Sequence, residues 1–148
     1  MEKKLDYRAG LRTASIVYLI LAVLEVVVTV LTWLMGDYDA AAMSAASGLP
    51  ESTVHAVIYG ILGLTAVAVL LKVWLGVAGI RQVNGKPVGK AHIVIATIMA
   101  VLGIISFVLD LVGVDAGTTT VSDAALTAAN FSMAVMYVSY AKAIRRSL

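Results

Sequence analysis

The stretch TASIVYLILAVLEVVVTVLTWLM, residues 13–35, decides how this chain folds. It carries one charged residue, Glu25, in an otherwise apolar or hydroxyl-bearing run. At about 1.5 Å of rise per helical residue, the run is long enough to cross a hydrocarbon core of roughly 30 Å. Three more stretches share this character: Thr53 to Ile80, His92 to Val114 and Ala124 to Ile144. The expected fold is therefore all-α, a polytopic membrane protein whose helices form an antiparallel up-down-up-down four-helix transmembrane bundle. Residues 1–148 make one such domain.

The segments flanking these runs orient them. Lys3, Lys4, Arg8 and Arg12 precede the first run, Arg81, Lys86 and Lys90 join the second to the third, and Lys142, Arg145 and Arg146 close the chain. The alternate connectors carry only acids, namely Asp37, Asp39, Glu51, Asp115 and Asp123. Basic residues are retained on the cytoplasmic side of a membrane. Both termini and the Arg81 to Lys90 connector are thus expected in the cytoplasm, with the protein integral to a plasma membrane of the bacterial cytoplasmic type.

Composition leads to the same class. A chain of 148 residues with 61% hydrophobic and 14% charged residues and a mean hydropathy of +0.96 has too little interior to hide its apolar surface, so lipid must cover the rest. The chain has no cysteine, which removes disulfides, thiol chemistry and the usual thiolate zinc ligands. A pI near 9.0 could suggest nucleic acid. The basic residues are spread over three segments, however, which fits anionic lipid headgroups better and excludes nucleic acid as the expected partner.

The connectors follow from turn chemistry. A secretory leader is rejected because the first apolar run exceeds the roughly 7–15 residues of a signal core and contains Glu25. The Ala40–Ala45 stretch then reads as an outer connector, closed by Gly48-Leu49-Pro50, with Ser52 capping the second helix. Val83-Asn84-Gly85-Lys86-Pro87 is a tight turn, and Ser122 is the expected cap of the last helix, with Asp123 favourable against its dipole.

Helical periodicity sorts the faces. Ser15, Tyr18, Ala22, Glu25, Thr29 and Thr32 line one stripe of the first helix, and Thr65, Ala68, Lys72, Gly76 and Gly79 one stripe of the second. The third offers His92, Ala96, Ala100, Gly103, Ser106, Asp110 and Gly113. The last has small residues on two faces, Ala125/Ala128/Ser132/Ser139 and Thr127/Asn130/Ala134/Tyr137/Ala141. Apolar faces gain nothing by meeting inside lipid, so small and polar stripes are expected to face neighbouring helices, in this chain or in a second copy or another membrane protein.

Glu25 and Lys72 need a specific explanation, because an unpaired charge near mid-membrane costs at least about 2.5–3.5 kcal/mol on insertion scales. Counted from Arg12, Glu25 lies about 20 Å from the cytoplasmic edge; counted from Arg81, Lys72 lies about 13–14 Å from it. A lysine stem spans a gap of about 6 Å, so an ion pair is open to them, with Tyr18 and Thr29 hydroxyls to complete the cluster. The alternative is a snorkelling Lys72 and a protonated Glu25.

The stretch Leu21-Ala22-Val23-Leu24-Glu25-Val26-Val27-Val28-Thr29 resembles the first helix of the small multidrug resistance transporters. That resemblance implies a four-helix fold in which Glu25 is the shared site for protons and cationic drugs. The chain departs from that family in its longer first connector, in Lys72 and in its one-sided charge bias.

Other polar residues carry weaker signals. Glu51 and His55, one turn apart near the outer surface and close in depth to Asp110, read as solvated or as a weak cation site, and no metal is expected. His92 lies at the opposite edge from His55, too far for the two to share a haem, and no cofactor is expected. Asn130 matches a glycosylation pattern but falls inside the last run. No Ser-His-Asp group shares one depth and no phosphate loop exists, so the chain is not expected to be an enzyme. The expected function is that of a small four-span protein acting through helix contacts as an accessory, assembly or regulatory subunit. The alternative is a proton- or ion-coupled transporter or channel using Glu25.

Overall fold

A computed structural model of the chain describes residues 2–36, 38–117 and 120–146, and the side chains of these except 2–5, 122 and 123. Among the described residues all regular structure is helical: α1 (Glu2–Leu34), α2 (Ala40–Ser47), α3 (Glu51–Val83), α4 (Ala91–Asp115) and α5 (Val121–Arg146). Among the described residues three segments are long and apolar enough to cross a membrane: Asp6–Leu34, Glu51–Val83 and Ala91–Asp115. Helix α5 covers the fourth expected run and has 26 residues, but Thr127, Asn130, Ser132, Ser139 and Lys142 dilute its apolar character.

The apolar surface is left outside, as a membrane protein requires. Leu64 and Leu70 remain 73% and 68% exposed, and only 11% of the most apolar stretch of α3 is buried. Continuous exposed apolar bands of this kind are foreign to soluble monomers.

Helix ends are set by local chemistry that differs in part from the expectations. The Ala-rich connector folds as α2, because the Asp39 carboxylate accepts from the amides of Ala41 and Ala42 at 3.0 and 3.2 Å and Gly48 closes the helix at φ 72°. Ser52 is not a cap. Helix α3 starts at Glu51, and the Pro50 carbonyl accepts from Thr53 and Val54 at 2.9 and 3.2 Å, which puts Ser52 inside the first turn. Helix α5 likewise starts at Val121, one residue before Ser122; the Ser122 and Asp123 side chains lie outside the described residues.

The chain divides into two compact units. The first comprises Met1–Val17 with Leu75–Leu148. In it α4 and α5 pack antiparallel, so that His92 meets Tyr137 edge-on at 6.1 Å and Phe107 meets Phe131 at 5.4 Å. Gly103 permits this approach, since a Cβ there would lie 2.5 Å from Phe131 Cβ. Tyr7 and Tyr140 rings lie 6.5 Å apart, Tyr140 covers Gly10, and a Cβ at Gly79 would strike Ser15 and Tyr137. The stripe on α4 is buried at His92, Ala96 and Ala100, but Ser106 is exposed. Phe107 takes the next place on that stripe because its ring packs on Phe131. On α5, Ala134, Tyr137 and Ala141 are buried, whereas Ala125, Ser132 and Ser139 are exposed.

The second unit, Tyr18–Trp74, contains the rest of α1 and α3 and all of α2. Ala40 of α2 packs with Val54 and Ile58 of α3, flanked by Tyr38 and Leu62. The Trp33 ring lies 6.1 Å from that of Tyr38.

Candidate functional site

Two charges of opposite sign on α1 and α3 meet in the second unit. Lys72 Nζ donates to Glu25 Oε2. The lysine side chain is 14% exposed and that of the glutamate 28%, so most of the pair is covered by protein. Each residue sits on the polar stripe of its helix, and the estimated gap of about 6 Å in depth is one that a lysine stem covers.

The Thr29 hydroxyl expected beside the pair is used otherwise. Thr29 Oγ1 donates to the Glu25 backbone carbonyl at 2.7 Å, not to the carboxylate, and Thr32 does the same to Val28 at 2.9 Å. Back-bonding to the carbonyl one turn earlier is the ordinary way a helical threonine satisfies itself inside an apolar environment. Tyr18 is buried, two turns before Glu25 on the same stripe. The concavities between α1 and α3 at this level have walls of Ala22, Val23, Val27 and Val73 in one and of Thr29, Val30, Leu62, Thr65 and Leu70 in the other, and neither includes a charged residue.

The remaining candidates do not join this pair. His55 is exposed; its Nδ1 donates to the Glu51 backbone carbonyl at 3.1 Å and its ring stacks on Tyr59 at 6.2 Å. Asp110 is half-buried on α4, and Asn130 is exposed on α5 instead of facing a neighbour. Among the described residues no three His, Cys, Asp or Glu side chains come together.

A second polar constellation, in the first unit, escaped the sequence reading. His92 is 1% exposed and has both ring nitrogens engaged: Nδ1 donates to the Gly89 carbonyl at 2.6 Å, and Nε2 meets Gln82 Oε1 at 2.8 Å. Gln82 Nε2 donates to the Ala141 carbonyl at 2.9 Å, and Tyr137 Oη donates to the Leu75 carbonyl at 2.9 Å. The network thus ties α3, the turn after it, α4 and α5 together at one end. Placement of the turn comes from a Schellman closure of α3, in which Lys86 N donates to Arg81 O and Gly85 N to Gln82 O, with Gly85 at φ 73°. The sequence signal was the pair Gln82 and His92, each five residues from Pro87.

Fold and site together define a class: among the described residues the protein is all-helical, with three helices long and apolar enough to cross a membrane and a charge pair within two of them. No family model, no curated protein and no solved structure matches this chain.

Proposed function

We propose that the chain is a four-pass plasma-membrane protein with cytoplasmic termini that works through helix contacts, as an accessory, assembly or regulatory subunit. The observation that carries this reading is the contact of Glu25 with Lys72. An acid that couples a flux must reach water and exchange its proton, whereas a carboxylate matched by a resident cation is spent on joining α1 to α3. The largely apolar walls of the neighbouring concavities support the same reading, since apart from the hydroxyls of Thr29 and Thr65 they offer surface to a lipid tail or a helix and no charge to a cation. For the fourth pass, α5 is about 39 Å long at 1.5 Å per residue and packs antiparallel on α4. Its exposed second face of small residues suits a partner helix.

A double-mutant cycle tests the reading. Either Glu25→Gln or Lys72→Met alone strands its partner in a poor dielectric and should lower stability in detergent by about 3 kcal/mol, while the double variant should lose less than either. Proton uptake into liposomes should be the same for wild type and Glu25→Gln. A Glu25→Gln protein that folds normally but abolishes a proton-dependent flux would overturn the proposal and favour the coupled carrier that the first-helix resemblance implies.

A further inference from the structure

The polar end of the first unit also holds a cavity of about 260 Å³, which no expected role for Glu25 or Lys72 involves. Three cations from three separate parts of the chain line it: Arg8 of α1, Lys86 of the α3–α4 turn and Arg145 of α5. Gln82 forms part of its wall, with Pro87 and Ile144 as apolar lining. Among the described residues no carboxylate lines the cavity, and none of the three cations is in an ion pair. Like charges gathered without an acid repel one another, and folding tolerates the arrangement at least cost when an anion occupies its centre.

We propose that this cavity binds a phosphate group, carried either by an anionic phospholipid headgroup or by a free phosphate. Size sets the class of ligand, since about 260 Å³ falls below the roughly 300–1,000 Å³ of sites for larger molecules. Geometry favours phosphate over a monovalent halide. Two guanidinium forks match phosphate oxygens in bidentate fashion, and the lysine adds a point charge. Gln82 is held in place by His92 and Ala141, and an amide nitrogen has a second proton beyond the one that Ala141 takes. The Schellman closure that positions Lys86 makes the site a product of the fold and not of long side chains drifting together. Pro87 and Ile144 give a glycerol stem an apolar surface to lie on. For the lipid source alone, the inference rests on the membrane reading; the free-phosphate source does not need it.

The test titrates purified full-length protein in an uncharged detergent with inorganic phosphate in one arm and with phosphatidylglycerol in mixed micelles in the other. Saturable binding in the first arm identifies free phosphate, and binding in the second arm alone identifies the headgroup; either supports the site. The variant Lys86→Gln/Arg145→Gln should weaken that binding by at least about tenfold, because charge-assisted hydrogen bonds are lost. Arg81→Gln/Lys90→Gln removes the same formal charge from exposed residues outside the cavity and should change it by no more than about threefold. Arg8→Gln supplies an independent variant on another helix, and unfolding temperatures without anion verify that each protein is folded. Equal losses in cavity and control variants, or no saturable binding in either arm, would overturn the site.

Discussion

Gln82 shows how much can rest on one side chain. It hydrogen-bonds with both His92 and Ala141, so replacing it leaves a buried ring nitrogen without its partner and breaks the tie from α3 to α5 at once. An unsatisfied buried polar group costs about 1–3 kcal/mol. Gln82→Leu should therefore lower stability in detergent by about 2 kcal/mol or more. Tyr137→Phe removes the hydrogen bond to the Leu75 carbonyl while keeping the ring on His92, and should cost only about 1 kcal/mol. Near-equal losses in the two variants, measured by thermal unfolding, would show that the network is not organised around the amide. The sequence made Glu25 and Lys72 legible because charge inside an apolar run is conspicuous and depth is counted from the helix ends. Gln82 offered no such contrast, for a glutamine at a helix end is ordinarily solvated.

At the scale of the element, glycine on a helix has two quite different meanings. Gly103 is a contact residue, since a Cβ there would lie 2.5 Å from Phe131 Cβ and 3.3 Å from Phe131 Cα. Backbone on the far side cannot rotate away, so Gly103→Leu should force α4 and α5 apart and destabilise by about 1–3 kcal/mol. Gly63 on α3 has nothing within 4 Å of an added Cβ, so Gly63→Ala should leave stability unchanged or raise it. Thermal unfolding of both distinguishes them, and a tolerated Gly103→Leu would refute close packing of α4 on α5. Periodicity alone foresaw the buried stripe through His92, Ala96 and Ala100, where small residues recur without ambiguity. It failed at Ser106, because choosing between a serine and the adjacent phenylalanine required knowing that Phe131 stood opposite. The helix α2 was bracketed by its own signals, Asp39 before and Gly48 after, yet its eight residues, all small but Met43, carry no apolar period by which to read a helix.

For the whole molecule the open quantity is the threading, and the argument for it is electrostatic. Ten of the eleven Lys and Arg residues lie at the two termini or between Arg81 and Lys90, and the other connectors have none. Lys and Arg in short loops resist translocation, whereas Asp and Glu matter little, so the bias orients every helix and not only the first. Four crossings put Ser47 and Asn84 on opposite faces; if α5 lay on the surface instead, that pair would still report the hairpin of α1 and α3, and the carboxyl end would decide the last pass. The absence of native cysteine makes a single introduced thiol an unambiguous reporter. Both positions are exposed, so each thiol would be reachable. In sealed cells an impermeant maleimide should label Ser47→Cys from outside, while Asn84→Cys and a cysteine appended after Leu148 should react only once the membrane is opened. Labelling of Ser47→Cys and Asn84→Cys from the same side would refute the orientation; external labelling of the appended cysteine would mean an odd number of crossings, with α5 outside the bilayer.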